Sequence, residues 1–286
     1  MDSLDPDARE IATAALADGG ALVVLTGAGI SAESGVPTFR GPEGYWTIGS
    51  RHYHPQELAT AAAFRRMPRE IWRWYLTRRA ICRAATPNAG HLALAAVEPA
   101  LPGRFTLVTQ NVDGLHRRAG SSSADTLQIH GNIDEARCTN GCSADRFPVP
   151  AGFDAFGRDD ALDDDDFARL ACPSCGAPAR PHVLWFDETY DEAHYRAESA
   201  MARAAEAALL IVVGTAGATN LPMQIGHRVL RSGAPILDVN LEDNPFAALA
   251  VRSGGRALRG SAATVLPALL GALVGGQDSH SAPTSC

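Results

Sequence analysis

The strongest constraint on the fold is a short apolar segment that ends directly in a glycine-rich turn. Residues 21–26 (ALVVLT) are almost entirely apolar and stop at Gly27, which is typical of a strand buried on both faces of a parallel sheet. Similar apolar runs recur along the chain, at 105–109, 183–186, 209–213 and 236–239. Segments that predict helices lie before and between these runs, at 5–17, 88–97, 191–207 and 221–230.

This alternation predicts an α/β fold with a doubly wound, mostly parallel, Rossmann-like sheet and helices on both faces. Two segments interrupt it and are predicted to form a smaller lobe, residues 47–83 as its helical part and residues 137–180 as its zinc-binding part. The predicted large domain is therefore discontinuous and comprises residues 1–46, 84–136 and 181–274. The small and mostly polar residues 275–286 are predicted to be a disordered tail.

Composition argues against several classes of protein. Apolar residues make up 46% and charged residues 20% of the 286-residue chain, as in globular proteins, and the net charge of −7 argues against a nucleic-acid partner. No run approaches the roughly 20 apolar residues that span a membrane, and the N-terminus is acidic, so we expect a cytoplasmic protein without a membrane partner. All 25 basic residues are arginine, so chemistry on lysine would act on another molecule.

The first predicted strand runs into residues 27–32 (GAGISA), which fit the G-x-G-x-x-A form of the dinucleotide-binding fingerprint. Glycine lets the backbone approach a pyrophosphate, and the N–H groups at the start of the following helix favour negative charge. A dehydrogenase would carry an acidic residue about 20 positions later, at the end of a second strand. Residues 45–52 (YWTIGSRH) show neither feature, so hydride transfer is disfavoured. A tight turn that binds no ligand is the alternative.

Four cysteines occur as two close pairs, a pattern typical of zinc sites. Cys138 and Cys142 are separated by three residues, Cys172 and Cys175 by two, and the two pairs by 29. In a reducing compartment this spacing predicts one structural Zn2+ rather than disulfides. A catalytic zinc is disfavoured, because the fourth thiolate fills the position that water needs. Four unrelated core thiols are the alternative.

Polar residues follow two of the extended segments. Residues 109–116 (TQNVDGLH) stand at the carboxyl end of a predicted strand, where open α/β sheets bind their ligands. His130 follows the next extended stretch, within residues 128–131 (QIHG), and a histidine there can act as a general base near neutral pH. A hydrogen-bonded core histidine is the alternative interpretation of His130.

Together these motifs resemble the sirtuin family of NAD-dependent protein lysine deacylases. The resemblance rests on residues 27–41 (GAGISAESGVPTFRG), 109–116, 129–131, the paired cysteines and residues 180–188 (RPHVLWFDE). It implies that the acyl-lysine carbonyl oxygen attacks the anomeric carbon of NAD as nicotinamide leaves, and that His130 then removes a proton from the ribose diol. The implied products are free lysine, nicotinamide and O-acyl-ADP-ribose, with NAD consumed as a co-substrate.

The resemblance also implies roles for individual residues. His130 and Asn111 are the implied catalytic residues, and acylated lysine-containing proteins or peptides are the implied partners. The substrate backbone is expected to pair, as an extra strand, with the segment that contains Leu184, Phe186 and Glu188. The implied cofactor contacts are Gly27, Ala28, Gly29, Ile30, Ala32, Thr38, Phe39, Arg40, Trp46, Gln110, Asn111, Val112, Asp113, Gly214, Thr215, Ala216, Asn240, Leu241, Glu242 and Ala262.

Residues of a predicted helix bear on acyl preference. Tyr75 and Arg78 stand three residues apart, so a helix places them on one face, where a guanidinium beside a phenol can hold a carboxylate. The Y-x-x-R pattern resembles the bacterial and mitochondrial sirtuins that remove succinyl, malonyl or glutaryl groups. The alternatives are an ordinary solvated helix face and a deacetylase of short acyl chains.

Two residues depart from the sirtuin pattern. Ala216 stands where the family usually has serine, which removes a hydroxyl that could bind the cofactor. Asp187 stands where the family usually has glycine, and it is expected to place negative charge at the rim of the substrate site. Two other functions stay open from the sequence alone: a sirtuin-like NAD glycohydrolase or mono-ADP-ribosyltransferase, and a non-catalytic NAD sensor.

Overall fold

Strands and helices alternate along most of the chain. The computed structural model describes residues 5–37, 46–48 and 51–275, with the backbone alone described at 46–48, 51 and 272–275. The strands are β1 (Ala21–Thr26), β2 (Trp46–Ile48), β3 (Arg51–Tyr53), β4 (Phe105–Thr109), β5 (Thr126–Gln128), β6 (Gly131–Cys138), β7 (Arg146–Pro148), β8 (Ala179–Val183), β9 (Ala207–Val213), β10 (Ile236–Asn240) and β11 (Arg256–Arg259). The helices are α1 (Pro6–Leu16), α2 (Gly29–Ala32), α3 (Pro55–Leu58), α4 (Ala61–Arg66), α5 (Pro68–Ala84), α6 (Ala89–Val97), α7 (Leu115–Ala119), α8 (Asp164–Arg169), α9 (Glu192–Tyr195), α10 (Ala197–Glu206), α11 (Asn220–Ser232), α12 (Pro245–Arg252) and α13 (Ala262–Gly275).

A parallel sheet forms the centre of the protein. Within the described ranges its strand order is β11-β10-β9-β1-β4-β5. The chain extends the sheet from β1 through β4 to β5, and then returns to β9 on the other side of β1. The strand order therefore reverses between β1 and β9, and the carboxyl ends of these two strands border a crevice.

Helices cover both faces of this sheet, as its apolar strands require. Leu22 and Val24 of β1 pack in a first core with α1, α6 and α13, whereas Val23 and Leu25 pack in a second core with α10, α11 and α12. All four side chains are at most 1% exposed, and burial of each is worth roughly 1.5–3 kcal/mol. The predicted doubly wound α/β fold is confirmed.

A third core, the small-lobe core, joins buried residues from 58–82 with buried residues from 133–185. β6 pairs with β7 on one side and with β8 on the other to form an antiparallel sheet. Trp72 of α5 is buried with Phe153 and Trp185 in this core, and its indole N–H donates to the Ala179 carbonyl at 3.0 Å. Because α5 packs directly on the antiparallel sheet, residues 58–82 and 133–185 share one apolar interior.

Two expectations about strands are wrong. Residues 45–52 were expected to contain no strand, but β2 and β3 pair there in an antiparallel hairpin, separate from the parallel sheet. The apolar run 183–186 was expected in the parallel sheet, but β8 ends at Val183 and belongs to the antiparallel sheet. The chain turns after it, with the Glu188 N–H donating to the Trp185 carbonyl at 3.0 Å. The apolar character of this run comes from packing in the small-lobe core rather than from a parallel neighbour.

The predicted helix over 191–207 is divided into two helices. Arg196 adopts a left-handed conformation, with φ of 53°, between α9 and α10. The Glu192 carboxylate accepts from the Ser199 N–H at 3.0 Å and so satisfies a donor in the first turn of α10. Within the described ranges, none of the helices combines the length and apolar character that a membrane span requires.

The loops after β1 and β9 approach each other closely at Gly29, and a substitution there tests this approach. Its N–H donates to the Gly214 carbonyl at 2.8 Å, and a Cβ on residue 29 would lie 2.7 Å from the Gly214 Cα. We expect Gly29→Ala to lower the free energy of unfolding by about 1–3 kcal/mol, measured by urea denaturation.

Gly271→Ala in α13 is the matched control. Apart from its chain neighbours and the backbone of its own helix, no described atom lies within 4 Å of its added Cβ. Alanine is the better helix former by about 1 kcal/mol, so this variant should be neutral or stabilised. Equal unfolding free energies for the two variants would contradict the close approach at Gly29.

Candidate active site

The carboxyl ends of β1, β4 and β9 meet at one crevice. The Gly27 N–H, after β1, donates to the Val213 carbonyl at 2.9 Å, and the Gln110 N–H, after β4, donates to the Thr26 carbonyl at 2.9 Å. A Cβ on residue 27 would lie 2.7 Å from the Thr215 Cβ. Only glycine therefore allows the loops after β1 and β9 to approach this closely, and the structure places the predicted cofactor-binding glycines at the point where the strand order reverses.

A buried polar network joins the loop after β4 to α2. The Asn111 amide donates to the Gly27 carbonyl and to the Ser31 hydroxyl, both at 3.1 Å. The Ser31 hydroxyl donates to the Asp113 carboxylate at 2.7 Å, and the Leu115 N–H donates to the same carboxylate at 2.8 Å. Burial raises the pKa of Asp113, and these two donors oppose that shift. The network fixes the predicted residues Asn111 and Asp113, and sequence reasoning did not identify Ser31 as their shared partner.

Two further histidines extend this network and were also missed. The Nε2 atom of His91 lies 3.4 Å from the Ser31 hydroxyl, and that of His116 lies 3.0 Å from the Thr26 hydroxyl. Burial lowers the pKa of His91 to about 4 and that of His116 well below its usual value. Both rings are therefore neutral hydrogen-bonding groups near pH 7. His116 ends the TQNVDGLH motif, but only the fold reveals that it contacts β1.

His130 lies between β5 and β6, and its imidazole is held through one nitrogen. The Nδ1 atom is 3.0 Å from the Gln110 carbonyl, which can only accept, so Nδ1 carries the proton. The Nε2 atom of the neutral ring is then an acceptor. Burial lowers the pKa of His130 to about 4, although the Gln110 hydrogen bond opposes the shift. The ring is therefore neutral near pH 7, as a general base must be.

The Gln110 side chain links the loops after β4 and β9. Its Nε2 donates to the Thr215 hydroxyl at 2.9 Å, and its Oε1 accepts from the Thr219 hydroxyl at 3.3 Å. The Asn240 amide, at the end of β10, donates to the Thr215 carbonyl at 3.0 Å. Gln110, Thr215 and Asn240, which were predicted separately, thus lie in one hydrogen-bonded row across the strand ends.

The remaining predicted cofactor residues differ in accessibility. Ile30 is fully buried in the first core, so its backbone rather than its side chain can reach the crevice. Val112 is half-buried against the small-lobe core, and Ala262 is buried beside Gly90. Ala32, Ala216, Leu241 and Glu242 are exposed, and Ala28 and Gly214 are half-buried. Thr38, Phe39 and Arg40 lie outside the described residues, and for Trp46 the backbone alone is described, paired with Tyr53.

Tyr75 and Arg78 lie together on α5. Tyr75 is 4% exposed, and its hydroxyl accepts from the Trp185 indole at 2.9 Å, which leaves its own proton to donate. The Arg78 guanidinium lies over the Trp74 ring, 5.4 Å from the centroid. Burial raises the pKa of Tyr75 and lowers that of Arg78. The pair therefore differs from an ordinary solvated helix face.

Arg118 of α7 holds the end of α5 against the loop after β4. Its guanidinium donates to the carbonyls of Cys82 and Ala85 at 2.5 and 2.9 Å, and to the Asp113 carbonyl at 3.4 Å. The last carbonyls of a helix lack partners within the helix, so Arg118 caps α5. The helix that carries the phenol and the guanidinium is thus fixed relative to the buried polar network.

Two acidic residues of the predicted substrate segment, Asp187 and Glu188, form hydrogen bonds within the chain. The Glu188 carboxylate accepts from the Arg180 guanidinium and from the Trp185 N–H at 3.0 Å. Burial would raise the pKa of Glu188, but Arg180 holds it below its usual range. The Asp187 carboxylate, expected at the substrate rim, accepts from the Ala61 N–H at 2.7 Å and caps α4. Its charge therefore stabilises a helix of the small lobe.

Leu184 and Phe186 border the same segment. The Leu184 N–H donates to the His130 carbonyl at 3.0 Å, and the Phe186 N–H donates to the Ala59 carbonyl at 2.9 Å. The Phe186 side chain is 57% exposed. A peptide strand on this segment would therefore pair with its carbonyl groups and rest on an exposed aromatic ring.

The four paired cysteines gather into one cluster. Their Sγ atoms all lie within 4.8 Å of one another, with 3.6 Å between Cys138 and Cys175 and 3.5 Å between Cys142 and Cys172. Four sulfurs around a zinc ion, each about 2.3 Å from the metal, stand about 3.8 Å apart in a tetrahedron. The donor set and its dimensions fit the predicted structural Zn2+, with no position left for a catalytic water.

Comparison with known proteins shows what the chain is similar to. The Sir2 family model matches residues 27–220, more than half of the chain. An NAD-dependent protein deacylase of Thermus thermophilus is 41% identical over 233 residues, which cover 80% of this chain and 82% of the relative. A mutant Sir2 homologue in complex with 2'-O-acetyl ADP ribose has a TM-score of 0.76 and 32% identity, with 99% of this chain and 100% of that chain covered. A complex of a Sir2 homologue with NAD has a TM-score of 0.75 and 33% identity, with 96% of each chain covered.

Removal of one thiolate tests the metal site. Cys172→Ser is expected to abolish stoichiometric zinc binding and to lower the midpoint of thermal unfolding, because structural zinc contributes directly to folding. Zinc per chain is measured by elemental analysis, and the midpoint by calorimetry. Cys82→Ala, which removes a buried thiol of α5 outside the cluster, is the control and should retain one zinc per chain. A Cys172→Ser protein with full zinc content would contradict the assignment.

Proposed function

Since the chain belongs to the Sir2 family of NAD-dependent protein deacylases, we propose that it transfers acyl groups from protein lysines to the ADP-ribose part of NAD, with His130 as general base. The predicted family, enzyme class and co-substrate are confirmed by the relatives. An NAD glycohydrolase is not favoured, since the curated relatives are named deacylases. The proposed substrates are acylated lysine side chains of proteins or peptides.

The geometry of His130 is the observation that carries the proposed role. A bound NAD would supply the anomeric carbon that accepts the acyl oxygen as nicotinamide departs, and a ribose hydroxyl whose proton a general base would remove. The Gln110 carbonyl fixes the imidazole through Nδ1, so Nε2 is the atom that can accept this proton. The Gln110 backbone belongs to the same loop as Asn111 and Asp113, which fixes the base relative to the buried network.

The side-chain oxygen of Asn111, Oδ1, is the atom that can contact the cofactor. Both hydrogens of its amide are used within the chain, on the Gly27 carbonyl and the Ser31 hydroxyl. Its Oδ1 atom is therefore the group that can accept from a ribose hydroxyl or from water. Since Asn111 is 8% exposed, this acceptor sits in a water-poor part of the crevice, where electrostatic interactions are strong.

We further propose that acidic acyl groups, such as succinyl, malonyl or glutaryl, are preferred over acetyl. A carboxylate could accept from the Tyr75 hydroxyl and from the Arg78 guanidinium in two charge-assisted hydrogen bonds. The same helix is joined to the loop after β4, because Arg118 donates to the carbonyls of both Cys82, one turn after Arg78, and Asp113. An acyl chain whose carbonyl reacts in the crevice would extend toward this helix, where its terminal carboxylate would meet the cationic side chain.

His130→Ala is expected to lower kcat/KM for deacylation by at least about 100-fold, the usual contribution of a general base, while NAD still binds. Product formation from an acyl peptide, with NAD affinity by calorimetry, measures both effects. In the wild type, only neutral His130 can accept a proton, so kcat/KM should be constant above about pH 5 and fall as the pH drops through about 4.

His227→Ala, on the exposed side of α11, is the control for the histidine substitution and should retain full activity. Full deacylation by His130→Ala would remove this residue from the mechanism. Nicotinamide release that does not require an acyl peptide would indicate NAD hydrolysis instead.

Arg78→Met keeps the length of the side chain and removes its charge. We expect kcat/KM for a succinyl-lysine peptide to fall about tenfold to 100-fold, as for loss of a charge-assisted hydrogen bond, with a much smaller effect on the acetyl-lysine peptide. Arg73→Met is the control on the same helix, because Arg73 binds Glu70 and the Asp160 carbonyl instead. Equal losses for both acyl groups would contradict the carboxylate interaction.

A further inference from the structure

Tyr190 contacts the proposed general base directly. Its hydroxyl lies 2.8 Å from the Nε2 atom of His130, and the two ring centroids are 5.8 Å apart. Tyr190 follows the RPHVLWFDE motif but was not identified from the sequence. The contact joins residues 60 positions apart in the chain, so the fold alone reveals it.

The direction of this hydrogen bond follows from the proton on the other nitrogen. Nδ1 of His130 donates to the Gln110 carbonyl, so Nε2 of the neutral ring carries one lone pair and accepts from the Tyr190 hydroxyl. That lone pair is the same one that must accept a proton from the ribose. The Tyr190 hydroxyl and a ribose hydroxyl therefore cannot both donate to His130.

Packing keeps the Tyr190 side chain in place. The Tyr190 ring packs against the second core beside α10 and α11. Burial raises the pKa of Tyr190 to about 12, so the phenol keeps its proton and remains a donor at neutral pH.

We propose that Tyr190 is a latch on His130, and that a ribose hydroxyl of NAD must displace its hydroxyl before His130 can act. This inference rests on the proposed function, because it takes His130 Nε2 as the atom that meets the ribose. Binding then exchanges one hydrogen bond on Nε2 for another. The exchange explains why His130→Ala is expected to leave NAD affinity nearly unchanged, since the bond gained and the bond lost are both absent from that variant.

The hydrogen bond between the Tyr190 hydroxyl and His130 Nε2 therefore limits the affinity for NAD. Tyr190→Phe preserves the ring that packs on the second core and removes only the competing hydroxyl. The ribose then gains a hydrogen bond on Nε2 without the loss of another. One hydrogen bond of ordinary net strength corresponds to a change of about threefold to tenfold in an equilibrium constant.

The experiment is a calorimetric titration of NAD into the full chain and its variants. Tyr190→Phe is expected to lower the Kd of NAD about threefold to tenfold, and steady-state kinetics should show a lower KM for NAD with kcat changed less than about twofold. Tyr195→Phe is the matched control, since its hydroxyl contacts Arg137 rather than His130, and its Kd should equal that of the wild type.

A double variant separates the latch from a general effect on the crevice. In the His130→Ala background, Tyr190→Phe should leave the Kd unchanged, because the hydroxyl no longer competes for Nε2. An unchanged or higher Kd for Tyr190→Phe in the wild-type background would overturn the proposal, as would the same decrease in both backgrounds. These titrations require no turnover, so a failure of the deacylase reaction would count against the proposed function and leave the test of the latch intact.

Discussion

The active site depends on the close approach of the backbone segments that leave β1 and β9. Gly27 and Gly29 contact Gly214 and Thr215 so closely that a Cβ on either glycine would lie 2.7 Å from a neighbouring carbon atom. Because the strand order reverses at this gap, the connections on its two sides lead away in opposite directions and leave a crevice at the carboxyl edge. The polar residues of the site lie at or just after the carboxyl ends of the neighbouring strands.

Burial keeps the three imidazoles of the site neutral, but the three side chains have different roles. His91, His116 and His130 all have pKa values lowered by burial, so each is neutral near pH 7. The first two bind hydroxyl groups within the buried network, where a cation would be costly. In His130 the Nδ1–H donates to the Gln110 carbonyl, and the lone pair of Nε2 is the one available for proton transfer. The Tyr190 hydroxyl regulates access to that lone pair.

Local patterns predicted much of the fold and part of the site. The strand over 105–109 has the predicted bounds, and the helix predicted over 88–97 ends at Val97 and is capped by its first predicted residue, Asn88, because both elements depend on neighbouring residues. The cysteine spacing likewise predicted the sulfur cluster. Local patterns could not predict contacts between distant segments, because these depend on the tertiary arrangement. Such contacts are those of Ser31 with Asp113, of Arg118 with the end of α5, and of Tyr190 with His130. The division of 191–207 at Arg196 was missed because the left-handed region is uncommon for an arginine, and nothing in the residue type indicates it.

A crystal structure of the protein with NAD bound would test the central claim most directly. The account predicts the pyrophosphate beside Gly27 and Gly29, and a hydroxyl of the nicotinamide ribose within about 2.6–3.2 Å of the His130 Nε2 atom, with the Tyr190 hydroxyl moved away. A nucleotide bound elsewhere, or a ribose separated from His130 while Tyr190 stays on Nε2, would contradict it.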